Sequence, residues 1–307
     1  GSARLPLPPR FKPGQEFDGL TIDELLHDSR ATLLYRVTDQ LSGQQLVLKT
    51  LRPELGDDAE EIRALIMEEW RARRIASPFF AQLVPAERRS CLYYLQTWHE
   101  GATLQRMLDA GLHFTVAETV QHGTRLLKGL SALHRLDIAH RDIKPANIHL
   151  GRDGCLRILD LGVALSRSED DAPAGNPGTP SYMAPELFAG VPAGPAHDLY
   201  AAGVTLHHLL TRKYPYGEIE PFQHPKFGEP LPPTRYRPDI PGWLDNVLLK
   251  AVGRDPAQRF ETAEEFLLAL ERGAHRPLSR PPATPLALRN PLLTWRVIAV
   301  GSLVLNL

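Results

Sequence analysis

From Thr21 to Lys49 short apolar runs separated by polar turns predict three short strands. Ile22 to Leu26 and Leu33 to Val37 flank a polar turn at His27 to Thr32, and Ser42-Gly43 turns the chain into Gln45 to Leu48, which ends on Lys49. Short strands joined by tight turns make an antiparallel meander. From Asp58 to Ile75 the period becomes helical: Ile62, Leu65, Ile66, Glu69 and Arg73 mark a helix rich in Glu and Arg, closed by Ser77-Pro78. Leu92 to Gln96 returns to strand character.

After Gly101 the pattern is mostly helical. Thr103 opens a short helix that Gly111 stops, and Thr115 with Glu118 forms a capping box for a helix running to about Arg135, with Val120, Leu127, Leu130 and Leu133 on one face. Further helices are predicted at His197 to Thr211, Trp243 to Val252 and Ala263 to Arg272, the last with Thr262 and Glu265 as a second capping box. The fold class is therefore α+β and bilobal: a small β-rich lobe with one key helix (17–99), a larger α-helical lobe (100–273), and a cleft between them.

The ends differ from this pattern. Residues 1–16 read as a tag remnant, Gly1-Ser2, followed by an extended linker around Leu5-Pro6-Leu7-Pro8-Pro9. Five prolines between Pro277 and Pro291 make 274–291 a stiff linker. Leu292 to Leu307 is apolar apart from Arg296, Asn306 and a few small polar residues, and reads as the start of a transmembrane helix. Arg276, Arg280 and Arg289 lie on the domain side of it and Arg296 near its domain-side end, which places the domain in the cytoplasm, anchored to the inner membrane.

Composition adds exclusions. The 307 residues are 43% apolar and 23% charged with a net charge of −1, which argues against a broad nucleic-acid-binding field. Cys91 and Cys155 are far apart and have no partner histidines, so neither a disulfide framework nor a zinc site is expected. The twelve histidines show no metal-ligand spacing such as H-E-x-x-H.

Candidate chemistry concentrates in His140-Arg141-Asp142-Ile143-Lys144-Pro145-Ala146-Asn147, followed by an apolar strand that delivers Asp160. Two acids and an amide brought together across a short hairpin suit magnesium and a triphosphate. The order of H-R-D-x-K-x-x-N, Asp160-Leu161-Gly162 and Ala184-Pro185-Glu186 resembles the protein kinase family, of the bacterial Ser/Thr type that looks eukaryotic, over about Thr21 to Gly273.

The resemblance implies a role for each matching residue. Asp142 accepts the hydroxyl proton and aims the attacking oxygen, while Lys144 offsets charge on the transferring phosphate. Asn147 and Asp160 hold magnesium, with manganese as the alternative ion. Lys49, ending Leu46-Val47-Leu48-Lys49, neutralises the α and β phosphates of ATP. Its carboxylate partner is Glu68 by counting back from Ser77-Pro78, with the adjacent Glu69 as the alternative. Leu26, His27, Ser29, Thr32 and Leu34 border the nucleotide, and Gln96, Thr97, Trp98 and His99 form the hinge that bonds adenine through its backbone. Thr179 and Glu186 belong to the segment that docks substrate, with Arg259 as the structural partner of Glu186. Asp198 caps the catalytic-loop backbone. Ser166 and Ser168 are candidate phosphorylation sites whose phosphates recruit Arg141.

The family's lid pattern G-x-G-x-x-G-x-V aligns with His27 to Leu34, so all three glycines are absent. Glycine permits φ > 0 and close backbone approach, so the substitutions imply a looser lid, with Asp28 repelling the phosphates. The resemblance implies a Ser/Thr protein kinase acting on protein substrates and on itself, with an opposing phosphatase domain as one partner in a longer protein. Two alternatives stand beside it: a pseudokinase scaffold, motivated by the missing glycines, and a small-molecule phosphotransferase of related fold.

Overall fold

Eighteen strands and helices are built from alternating and helical patterns along residues 5–162, 165–166 (backbone only) and 179–281, which the computed structural model describes. The first lobe is a six-stranded sheet of β1 (Glu16–Phe17), β2 (Leu20–Asp28), β3 (Thr32–Asp39), β4 (Gln45–Leu51), β5 (Leu83–Val84) and β6 (Tyr93–Thr97). Their order is β1-β2-β3-β4-β6-β5, every pair antiparallel. The strands around the lid are longer than the apolar runs predict. His27, Asp28 and Thr32 lie in strands rather than in the turn, and β2 is bulged between Ile22 and Glu24 and between Leu25 and His27.

Helix α1 (Ala59–Arg74) is capped by Asp58, whose carboxylate accepts from the amides of Glu60 and Glu61. Its buried face carries Ile62, Leu65, Glu68 and Arg71, spaced three apart. Ile62 and Leu65 pack with Leu51, Leu92 and Tyr94 of the sheet. The opposite sheet face holds a separate core of Leu33, Tyr35, Val37, Leu46, Leu48, Tyr93 and Leu95.

Residues 5–16, expected as part of an extended linker, are docked on this lobe. Leu5 and Leu7 pack against the α1 cluster, and the carbonyl of Pro6 accepts from the Leu92 amide at 2.8 Å. Phe11 is buried, stacks on Phe17 at 4.2 Å and donates its amide to the Tyr35 hydroxyl at 3.1 Å. The segment is extended, as its prolines dictate, yet its leucines and Phe11 give it apolar surface to bury.

The second lobe follows β7 (Gly101–Thr103), with α2 (Leu104–Asp109), α3 (Val116–His134), β8 (Ile138–Ala139), β9 (Ile148–Gly151), β10 (Leu156–Ile158), β11 (Leu165–Ser166), α4 (Pro185–Phe188), α5 (Pro195–Thr211), α6 (Gly242–Ala251) and α7 (Ala263–Arg272). The Thr115 and Glu118 capping box closes both ways at 3.1 and 2.8 Å. The Thr262 box closes one way only: Thr262 accepts from the Glu265 amide, while the Glu265 carboxylate takes the Glu261 amide and Lys250. Leu126, Leu127, Leu130 and Leu133 of α3 meet Leu199, Leu206 and Leu209 of α5 and Phe266 and Leu270 of α7 in the main core.

The Ile158 amide of β10 donates to the Phe79 carbonyl at 2.7 Å, a backbone bond between the two lobes. Gly101 of β7 sits so close to β9 that a side chain there would meet the Leu150 carbonyl, and its φ is +154. Gly101→Ala is expected to destabilise the chain by about 2 kcal/mol in urea melts; an unchanged midpoint contradicts this close approach. No described helix is long and apolar enough to cross a membrane, and the apolar segment 292–307 lies outside the described residues.

Candidate active site

Lys49 lies on β4 with Leu34 opposite on β3 and Tyr94 opposite on β6. It is buried, and its Nζ donates to Glu68 Oε1 at 2.7 Å and to Asp160 Oδ1 at 3.4 Å. The Tyr94 hydroxyl donates to the same Glu68 oxygen at 2.9 Å. Glu69, a step further round α1, faces away and takes Arg73 and Arg89 instead. Burial alone drives the Lys49 ammonium down, but the charges of Glu68 and Asp160 outweigh it and hold the group above its ordinary value.

Across the cleft, the catalytic loop between β8 and β9 is fixed by buried hydrogen bonds. Asp198, near the N-terminus of α5, accepts from the amides of His140 and Arg141, each at 2.8 Å, and bonds His134 Nε2 at 2.8 Å. Burial pushes the Asp198 carboxyl up, but the His134 bond and the neighbouring donors bring it below the usual carboxylate value. His140 is fully buried: its Nδ1 accepts from the Asp142 amide, so Nε2 carries the proton given to the Leu159 carbonyl at 2.7 Å. Arg141 and Asp160 have left-handed φ of 73 and 60, strain of the kind held at functional sites.

These bonds gather the predicted loop residues. Asn147 Nδ2 donates to the Asp142 carbonyl at 2.8 Å and to Asp142 Oδ2 at 3.1 Å. Lys144 Nζ lies 3.2 Å from Asp142 Oδ2 and donates to Thr179 Oγ1 at 2.8 Å. The Leu159 amide donates to the Asn147 carbonyl at 2.8 Å, which sets Asp160 beside Asn147. Burial raises the Asp160 carboxyl, yet Lys49 and the Gly162 amide bring it below its ordinary value, leaving an anion at the cleft.

The donor set fits a small hard cation. With the amide nitrogen of Asn147 committed to Asp142, its oxygen faces the other way, and Asp160 adds a carboxylate. Among the described residues no cluster of three or more His, Cys, Asp or Glu forms a metal cage. Magnesium suits such a site, because it takes one or two protein oxygens and completes its shell from water and phosphate.

The lid departs from the expected looseness. Ser29 Oγ accepts from the Thr32 amide at 3.1 Å and lies 2.7 Å from Thr32 Oγ1, while the Ser29 amide donates to the Thr32 carbonyl at 3.0 Å. None of His27, Ser29 or Thr32 has positive φ, so hydroxyls close this turn without the conformations that glycine would supply. Asp28 is not a free anion beside the phosphates: Arg10 and Arg52 bind it. Leu26 and Leu34 are half-buried at the lid's base, and His27 is exposed.

At the hinge, Gln96, Thr97, Trp98 and His99 are all half-buried. Thr97 is tied to Gln82 through both its amide and its hydroxyl, and its hydroxyl also bonds His99 Nε2 at 2.9 Å. Of the regulatory candidates, Ser166 lies in β11 opposite Ile138, while Ser168 falls outside the described residues.

Glu186 is gripped from two sides. Arg259 forks onto it at 2.6 and 2.9 Å, and His197 Nε2 adds a contact at 3.1 Å. Burial pushes the Glu186 carboxyl up, but the bonds from His197 and Arg259 pull it down to about 2. Its stabilisation is therefore present above its ordinary value near 4.5 and is lost as pH falls toward 2. Urea midpoints across that range are expected to fall less steeply in Glu186→Gln than in the parent. Arg259→Ala, which leaves the half-buried carboxylate with His197 alone, costs about 3 kcal/mol at neutral pH.

Sequence reading missed Tyr94, His134 and His197, the supporting partners of Glu68, Asp198 and Glu186. Each lies 11 to 64 residues from the acid it serves, so no local motif marks it.

Comparison with known proteins agrees with this geometry. The protein kinase domain family matches residues 30–262. A probable serine/threonine-protein kinase of Streptomyces coelicolor is 30% identical over 251 residues, covering 78% of this chain and 37% of that protein. The serine/threonine-protein kinase PrkC of Bacillus subtilis is 29% identical, covering 76% of this chain and 37% of its own length. This chain thus matches less than half the length of those two relatives. The crystal structure of the Mycobacterium tuberculosis PknI kinase domain aligns with a TM-score of 0.64 at 28% identity, over 86% of this chain and 99% of that one.

Proposed function

The chain belongs to the protein kinase family, and from that premise we propose that it transfers the γ-phosphoryl group of ATP to serine and threonine hydroxyls of proteins. The observation that carries this reading is the cluster of Asp142, Lys144, Asn147 and Thr179, joined by contacts of 2.8 to 3.2 Å. Asp142 accepts the proton of the acceptor hydroxyl and points its oxygen along the line of attack. Lys144 bridges that carboxylate and Thr179, so the transferring group meets a cation on the acceptor side.

A shallow recess lies beside Asp142, lined by Thr179, Tyr182, Met183, Leu187 and His197 among others. On the nucleotide side Lys49 holds the α and β phosphates, steadied by Glu68, and the hinge backbone bonds adenine. Asn147 and Asp160 would hold magnesium, which when bound would neutralise phosphate charge and orient the triphosphate.

Three further parts of the reading rest on sequence. The apolar run Leu292 to Leu307 supports attachment to a membrane, with the kinase lobes on the cytoplasmic side. Ser166 and Ser168 support control by phosphorylation: a phosphate there would pair with Arg141, whose buried Nε has no hydrogen-bond partner among the described residues. The small share of each relative that this chain covers leaves room for an opposing phosphatase domain. The scaffold reading loses its motive, because the glycine-free lid is built without strained backbone.

The test is acceptor identity. Incubation with γ-labelled ATP, magnesium, a mixture of proteins and a set of small hydroxyl and amino compounds is expected to label phosphoserine and phosphothreonine. Label confined to phosphotyrosine or to small molecules overturns the reading.

A further inference from the structure

The lid turn is gripped from behind by three charged side chains that the reaction does not otherwise use. Arg10 Nη1 and Nη2 both donate to Asp28 Oδ2 at 2.9 Å. Arg52 Nε and Nη2 donate to Asp28 Oδ1 at 2.9 and 2.5 Å. Each carboxylate oxygen thus accepts two N–H bonds from one guanidinium, so both oxygens of Asp28 are held by charge-assisted bonds. The bonds from Arg52 and Arg10 hold the Asp28 carboxyl below its ordinary value.

Strand register says where this grip acts. His27, Leu34 and Lys49 share one row across β2, β3 and β4, and Asp28, Leu33 and Thr50 share the next. Asp28 therefore lies one row, about 3.4 Å along the strands, beyond Lys49 and two strands, roughly 10 Å, to the side of it. Leu33 of that row is fully buried in the core on the sheet face opposite Lys49. The Arg52 amide also donates to the Ala31 carbonyl at 2.8 Å, so Arg52 clasps the turn at its tip and at its base. Arg10 reaches the turn from the docked N-terminal segment, beside Phe11, which anchors it in the core.

We infer that Asp28, held between Arg10 and Arg52, is the positioning residue that fixes the glycine-free lid over the triphosphate, which makes the N-terminal segment a working part of the nucleotide site. The inference rests on the kinase reading above and deepens it. A flexible glycine lid folds onto phosphate; this one is closed by Ser29 and Thr32 and set in place from outside. The cost of ordering the lid is met during folding rather than on binding, which is what preorganisation does for affinity.

The test measures ATP and adenosine affinity by calorimetry, and KM for ATP and kcat, on the 307-residue chain. Asp28→Ala is expected to raise the ATP Kd and KM about tenfold and Arg10→Ala about fivefold, above the small effect of an isolated exposed pair because the three groups form a network. kcat stays within about twofold, and adenosine, which has no phosphates for the lid to cover, binds as before. In the Asp28→Ala background, Arg10→Ala has no further effect, and Asp28→Glu keeps most of the ATP affinity.

Equal loss of ATP and adenosine affinity, additive effects in the double variant, or unchanged ATP affinity in Asp28→Ala would each overturn the latch. Asp28→Asn, which keeps the side-chain shape, takes its place with the same expected losses if Asp28→Ala folds poorly. Failure of the parent chain to bind ATP at all overturns the kinase reading itself, a result distinct from parent binding with silent variants.

Discussion

Glu68→Ala is expected to lower stability by about 3 kcal/mol and phosphoryl transfer by about a hundredfold. The stability loss follows from burial. Lys49 and Glu68 are both nearly inaccessible and 2.7 Å apart, so removing the acid leaves a buried ammonium whose remaining acidic contact is Asp160 at 3.4 Å. Breaking a buried pair from one side costs about 3 to 5 kcal/mol, because the surviving charge is uncompensated. The rate loss follows from the same contact: Lys49 drawn toward Asp160 would leave the proposed phosphate position and take up the carboxylate proposed to hold the metal.

A pH signature separates this from general unfolding. In the parent, Lys49 sits above its ordinary value because Glu68 and Asp160 outweigh burial. The stabilisation it contributes is therefore intact below about 10.5 and is lost only as pH rises through the higher folded value. Without Glu68, burial meets less opposition, and the alkaline limb of the rate profile is expected to move toward neutral pH. Urea melts and pH–rate profiles of Glu68→Ala and the parent check both parts; a parent-like alkaline limb counts against the pair's role in holding the lysine charged.

Asp142→Asn is expected to lower transfer by about a thousandfold while ATP affinity stays within about twofold, since general-base assistance contributes about 10²- to 10⁴-fold. The substitution is nearly isosteric, and an asparagine oxygen still accepts from Asn147 Nδ2, so the loop keeps its shape. What disappears is the proton acceptor and the anion that Lys144 meets at 3.2 Å. Lys49, Glu68 and the lid are untouched, so nucleotide binding persists. Single-turnover transfer beside calorimetric ATP binding checks the split.

How far the sequence carried these conclusions varied with the range of the interactions. The catalytic loop was legible because its chemistry fits in eight consecutive residues, and Asp160 follows at hairpin distance. Glu68 was separable from Glu69 only by counting from Ser77-Pro78; the structure places Glu68 on the buried stripe with Ile62 and Leu65. Strands such as β7, β8 and β11 escaped detection because two or three residues hold no readable period.

The N-terminal stretch misled for a different reason. Proline fixes an extended backbone whether or not the segment is docked, and only the placement of Leu5, Leu7 and Phe11 against distant apolar residues decides between the two. The lid misled through absence. Missing glycines signal a changed turn, but the replacement is a serine–threonine closure and two arginines lying 18 and 24 residues from Asp28. Pairings at that separation leave no local pattern.

The most direct test of the central claim is transfer of label from γ-labelled ATP to serine and threonine of the chain itself and of a generic protein acceptor, with Asp142→Asn run beside the parent and ATP binding measured on both. The account predicts that both chains bind ATP and only the parent labels protein at an appreciable rate. Equal labelling by the two chains, or ATP binding by the parent without any transfer, would contradict it.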